Sequence, residues 1–134
     1  MTLRLAPRRI RGDRGMGTTL IRARLANIMD RTRGAEIEMV VDSGAIYSVV
    51  PAGVLRSLGV QAEQTETFGL ADGRSVRRRV GHAVFEIEGR EGISKVIFGR
   101  PDDASLLGMV TLEMLGLSLD PLKRRLRPLK LMIA

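Results

Sequence analysis

No stretch of this chain sustains a helical period for more than about two turns, which limits it to a fold built mainly of β-strands. From Met16 onward, short alternating segments are broken by Gly, Asp and Pro. In TLIRARLAN, Ile21, Ala23 and Leu25 alternate with Arg22 and Arg24, the period of a half-buried strand. NIMDRTRG then reads as a turn, with Asn27, Asp30 and Gly34 as punctuation. In AEIEMVVD, Ile37, Met39 and Val41 face one way while Glu36, Glu38 and Asp42 face the other, so a strand delivers Asp42 to its carboxyl end. Pro51 suits the first turn of a short helix in PAGVLRSLGV, where Val54, Leu55 and Leu58 are at helical spacing and Gly59 is a natural stop.

Beyond it, TETFGLADGRSVRRRV sets Ala71, Asp72, Gly73 and Arg74 between two extended arms, the mark of a hairpin with a polar tip. The strand pattern continues in HAVFEIEG, turns at Gly89 to Gly92 and resumes in ISKVIFG. PDDAS is a loop, LLG a buried strand end, MVTLEML a short helix stopped by Gly116, and LSLDPLKRRLRPL the last strand pair. Two short helices among about eight or nine strands predict a mainly β barrel or sandwich.

The length of 134 residues matches one ordinary domain. Residues 1–15 hold Arg4, Arg8, Arg9, Arg11 and Arg14 against Asp13 alone, so they carry +4 of the net +7. With no clear period and Met16 following, this stretch is expected to be a flexible basic arm or an over-extended start, and residues 16–134 the folded domain. The positive balance raises nucleic acid as a partner, but aromatics are only 3% with no Trp, which leaves few stacking platforms for single strands. Of the run Arg77 to Arg79, strand geometry sends Arg77 and Arg79 one way and Arg78 the other, so the charge is not one continuous patch. It serves equally to protect a sheet edge or to favour acidic substrates. Cysteine is absent and His82 is the lone histidine, so no thiolate or histidine metal cluster is expected and no cofactor is implied. Lacking a signal-peptide core or a run of about 20 apolar residues, the chain is expected to be cytoplasmic with no membrane partner.

Comparison of the two halves reveals a degenerate repeat. VVDSGA leads to a helix ending VLRSLGV, and ASLLGM leads to one ending TLEMLGL. Gly44 corresponds to Gly108 at an offset of 64, and Gly59 to Gly116 at 57. Asp-Ser-Gly alone is an ordinary turn; joined to the half-repeat and the Ala-Asp-Gly hairpin it becomes specific.

On these residues the chain resembles the clan AA aspartic proteases of the retropepsin-like type, in their small prokaryotic form, over roughly Thr18 to Pro128. The resemblance implies a retropepsin-like acid-protease barrel with two short helices, active as a twofold dimer. In this family two carboxylates hold one water, one acting as general base and the other as general acid, and share a proton because both cannot ionise at close range. The chain has one such motif, and Leu106, Leu107 and Gly108 occupy the matching place in the second half without a carboxylate. A homodimer therefore supplies the second acid, with Asp42 of each subunit as the catalytic residue. The resemblance gives Ser43 a hydroxyl that bonds across the axis, Gly44 a close backbone passage, Ala45 a small side chain at a crowded approach, and Ser48 a supporting hydroxyl. It makes Ala71, Asp72 and Gly73 a flap over bound peptide, and Leu106 to Gly108 structural support.

Tyr47 is expected in the core or a pocket wall, and His82 on the surface. The expected partners are a peptide or protein substrate and a second copy of the chain, and Leu131, Met132 and Ile133 are expected to help form the dimer interface. Two other functions compete: a proteolytically inactive retropepsin-fold binding or dimerisation module, and a basic nucleic-acid-binding β domain.

Overall fold

The computed structural model describes residues 18–130, so the expectations for residues 1–15 and for Leu131, Met132 and Ile133 lie outside the described residues. Nine strands and two helices follow in the order β1 (Thr19–Ala26), β2 (Gly34–Val41), β3 (Ser48–Pro51), α1 (Ala52–Ser57), β4 (Ala62–Gly69), β5 (Ser75–Ile87), β6 (Arg90–Gly99), β7 (Leu106–Leu107), α2 (Met109–Met114), β8 (Leu117–Asp120) and β9 (Arg125–Pro128). Seven strands form one sheet in the order β1-β2-β7-β3-β6-β5-β4. Its first strand also pairs with β5 through Arg24↔Glu86, Leu25↔Phe85 and Ala26↔Val84, which closes the sheet into a barrel. β4 hangs from β5 as an edge, and β8 with β9 makes a separate ribbon. Of the two mainly β architectures open to the sequence, the structure is the barrel.

Alternation in the sequence is realised as burial. Ala23, Leu25, Met39, Phe85 and Ile87 point inward and join Leu55 of α1 and Leu112 of α2 in the main core. A second cluster of Ala45, Val49, Phe68, Val80, Ile97 and Leu106 lies between the loop after β2 and the β4–β5 hairpin.

One strand departs from the sequence reading. The apolar run after Ala45 leads not directly into a helix but into β3, parallel to β6 from Ser48↔Val96 to Pro51↔Gly99 and antiparallel to β7 at Val49↔Leu106. Ser48, Val49 and Val50 are all buried, so the segment shows no period-2 signal. Pro51 ends this strand and caps α1 from an extended backbone, φ −52° and ψ 136°, instead of forming its first turn. β3 also explains the unequal repeat offsets. α1 and α2 are both six residues long and end at Leu58 and Leu115, followed by Gly59 and Gly116 at φ +74° and +71°. The seven-residue difference is the stretch 45–51, present only in the first unit.

Each helix has its last carbonyls satisfied from outside, as a buried helix end requires. The Asn27 side chain donates to the Leu58 and Gly59 carbonyls at 3.0 Å each, and Arg90 donates to those of Leu115 and Gly116 at 3.1 and 3.0 Å. These bonds tie the helices to β-turns and so orient the loops that precede them.

Leu107→Ala, at a fully buried position, is expected to lower unfolding free energy by about 2–5 kcal/mol in urea titrations. Met29→Ala, at a side chain that is 88% exposed, is expected to change it by less than about 0.5 kcal/mol.

Candidate active site

Asp42 follows β2 immediately, and its backbone amide donates to the Leu107 carbonyl at 3.2 Å, extending the parallel β2–β7 pairing by one bond. The chain then turns at once. The Asp42 carbonyl accepts from the Ala45 amide at 3.0 Å, and its Oδ1 accepts from the Gly44 amide at 2.8 Å. A short polar side chain that bonds its own backbone two residues ahead makes such a turn compact, and here it also orients the carboxylate. Asp42 is half-buried, Ser43 and Gly44 are exposed, and Ala45 is buried in the second cluster. The Ser43 hydroxyl makes no hydrogen bond among the described residues. The loop thus presents a positioned carboxylate and a hydroxyl on one surface.

Leu106 and Leu107 hold this loop from beneath. Both are buried, and β7 pairs Val40↔Leu106 and Val41↔Leu107. The Met109 and Val110 amides donate to the Ala45 and Ile46 carbonyls at 3.0 and 2.9 Å, so the start of α2 grips the Asp42 turn directly. Gly108 is required by this crossing, because a Cβ there would meet the Tyr47 carbonyl carbon at 2.5 Å.

Ser48, expected to lend a supporting hydroxyl, lies fully buried at the start of β3. Its Oγ accepts from the Gly108 amide at 3.0 Å and lies 2.6 Å from Thr111 Oγ1, which in turn lies 2.9 Å from Ser94 Oγ. All three hydroxyls are buried, and together they join β3, α2 and β6 beneath the loop. Sequence reasoning missed Thr111 and Ser94. Their signal was a hydroxyl residue at an inward position of an otherwise apolar helix and strand.

The predicted hairpin forms between β4 and β5. Leu70 and Arg74 close it, the Leu70 amide donating to the Arg74 carbonyl at 2.7 Å, and Ala71, Asp72 and Gly73 form its exposed tip. At its base, Phe68 and Val76 pack into the same cluster as Ala45 and Leu106, which brings hairpin and catalytic loop onto one apolar floor. Tyr47 is half-buried against that floor as a wall, its ring 6.4 Å from Phe68 in an edge-on arrangement with Lys95 Nζ 4.4 Å from its centroid. Lys95 also bonds Glu66 at 2.6 Å and holds that carboxyl below the usual carboxylate range. His82 lies on the surface of β5, its Nδ1 3.0 Å from Glu63 Oε2.

The Arg74 amide, and then its guanidinium, donate to Asp72 at 3.0 and 2.7 Å and hold its carboxyl below the usual range. A depressed folded-state value contributes stability above the unfolded value, near pH 4, that is lost as pH falls through the folded one. In a proton NMR titration, Arg74→Ala is expected to lessen the Asp72 depression without abolishing it, because the amide donor stays while the guanidinium bond and charge are lost. Thr111→Val deprives Ser48 and Ser94 of a shared partner and is expected to cost about 1–3 kcal/mol in thermal or urea unfolding.

The family model described as "gag-polyprotein putative aspartyl protease" matches residues 31–114, from the turn before β2 to the end of α2. The solution structure of simian foamy virus (mac) protease aligns with a TM-score of 0.49 at 24% identity, covering 66% of this chain and 86% of that one. No curated protein sequence matches. The family match takes in the catalytic turn, the hairpin and the Leu-Leu-Gly support, and it spans more than half of the chain, which therefore belongs to this family of retroviral-type aspartyl proteases.

Proposed function

We propose that the protein is an aspartic endopeptidase whose active unit is a homodimer, with Asp42 of each subunit gripping one water. The observation that carries this reading is an asymmetry between the two halves. Where the first unit presents Asp42 on a surface turn, the second places Leu106, fully buried and bonded into β7. One protomer thus provides a single carboxylate where water activation needs an acid and a base.

In the dimer the two Asp42 side chains share one proton. The ionised one takes a proton from the water as that water attacks the scissile carbonyl carbon. The protonated one donates its proton to the carbonyl oxygen, giving a gem-diol intermediate. In its breakdown the first carboxyl passes the proton it took from water to the amide nitrogen while the second takes one back from a gem-diol hydroxyl, so the C–N bond breaks, the amine leaves and the pair again holds one proton. Exposed Ser43 supplies a hydroxyl on the surface that meets the partner. The Gly44 amide holds each carboxylate in position, and Gly108 with the Ser48–Thr111–Ser94 hydroxyls keeps the turn from yielding. The Ala71–Gly73 tip closes over the peptide and excludes bulk water. Half-buried Tyr47, packed on the Val49 and Ile97 core beneath it, forms a wall on the substrate side.

The test is cleavage of a peptide library with pepstatin as inhibitor, paired with analytical ultracentrifugation. Wild-type specific activity is expected to rise with protein concentration as dimers form. Asp42→Asn is expected to retain the dimer mass and lose at least about a hundredfold in activity. A strictly monomeric protein, or undiminished cleavage by Asp42→Asn, would overturn the proposal.

A further inference from the structure

The catalytic reading leaves unused the run Arg77–Arg78–Arg79 and the concavity beside it. That concavity follows from how the sheet comes apart. The ladder between β5 and β6 runs from Val80↔Ile97 to Ile87↔Arg90, so residues 77–79 lie past its end and pair only with Thr67, Glu66 and Thr65 of β4. β5 and β6 part before Val80, while just inside that point β4 presses on β5 at Gly81, where a Cβ would meet the Gln61 carbonyl oxygen at 2.3 Å, and the β4–β5 register shifts between Ala62 and Gln64. On the other side stand α1 and the end of β6. The gap between them is a groove of about 890 Å³, distinct from the surface that presents Asp42.

Its lining is one-signed. Arg56 of α1 and Arg77, Arg78 and Arg79 of β5 border it, with Ala52, Val54 and Phe98 among its apolar walls, and among the described residues no Asp or Glu lines it. Arg56, Arg77 and Arg79 are exposed and make no side-chain hydrogen bond or ion pair among the described residues. Arg78 donates from its η1 nitrogen to the Arg77 carbonyl at 2.9 Å, while its Nε is buried with no partner. A concavity lined by charge of one sign focuses its field and raises the local concentration of oppositely charged groups.

We infer that this groove docks an extended acidic polypeptide segment, with carboxylates on the arginines and apolar side chains against the half-buried Ala52 and Val54. On the protease reading above, that segment is a stretch of the substrate outside the scissile site. Two observations favour a peptide over nucleic acid. The side of β5 facing the groove at residues 77–79 lacks a neighbouring strand, so an extended main chain has an edge to lie along. The one aromatic ring in the lining, Phe98, is only 7% exposed and offers no face on which a base could stack.

The inference is tested on Asp42→Asn protein, so that binding is measured whether or not the chain is a protease. The probe is a fluorescein-labelled peptide of alternating Glu and Leu, followed by fluorescence anisotropy. Its controls are the same peptide with Gln for Glu and a labelled single-stranded oligonucleotide. The Glu peptide is expected to bind about tenfold or more tighter than the Gln peptide, and to weaken as salt rises. Arg77→Thr with Arg79→Thr, which keeps strand-forming residues, is expected to weaken it about tenfold, and Arg56→Gln on exposed α1 severalfold. Should the double variant melt early, Arg56→Gln decides alone. Equal binding of the Glu and Gln peptides, or unchanged affinity in the folded variants, would overturn the inference. So would an oligonucleotide that binds more tightly than the Glu peptide through the same arginines. On the protease reading, the double variant is further expected to cleave a short neutral peptide at the rate of protein carrying native arginines.

Discussion

Everything at the catalytic turn depends on two strands of chain crossing at contact distance, the Ile46–Tyr47 backbone on one side and Gly108 on the other. The crossing has room for a hydrogen and no more. Because it is that close, the amides that open α2 reach the Ala45 and Ile46 carbonyls, and the Gly108 amide reaches the Ser48 hydroxyl. Those bonds fix the turn that carries Asp42. A carboxylate on a loop fastened only at its ends would be held far less closely than one on a turn bonded along its length.

The buried hydroxyl trio extends the same constraint into the barrel. Ser48, Thr111 and Ser94 come from β3, α2 and β6, elements far apart in sequence. Hydroxyls in a core cost free energy when unpaired and add directional specificity when each has a partner. Here they link the first half-unit, the second half-unit and the strand between them, so the catalytic turn is braced by the whole barrel. The two half-units are alike in helix length, in the left-handed glycine that follows each helix and in having the last carbonyls met by a distant side chain, Asn27 in one and Arg90 in the other. They differ in the seven-residue stretch 45–51 that contains β3 and in the acid present only in the first.

Much of the fold was legible because half-buried strands announce themselves. β1, β2, β5 and β6 alternate, and Gly59, Gly116 and the Ala-Asp-Gly tip punctuate as turn chemistry requires. β3 was hidden by its own burial: a strand flanked by β6 and β7 and covered on both faces has no polar side to alternate with. Pro51 then passed for a helix start, since its fixed φ fits both the end of a strand and the entry to a helix. At the site, Asp42, Ser43, Gly44, Ala45 and Ser48 could be named from local pattern and family resemblance. Thr111 and Ser94 could not be assigned roles, because a hydroxyl in a short apolar segment says only that a partner is needed and never which one.

The sequence by itself determined the kind of chemistry and the class of fold: one acidic turn after an apolar strand, no thiolate, strands broken at short intervals and a second half that echoes the first without its acid. These are properties of residue type and local period, which short-range sterics and solvation set. Tertiary structure alone decided that Leu107 lies beside Asp42, that three hydroxyls meet under the turn, that Tyr47 and Phe68 share one floor, and that the arginines of β5 border an open groove with Arg56. Each of those facts joins residues distant in sequence, and such pairs are selected by barrel closure and the burial of apolar surface across the whole chain, which no local pattern encodes.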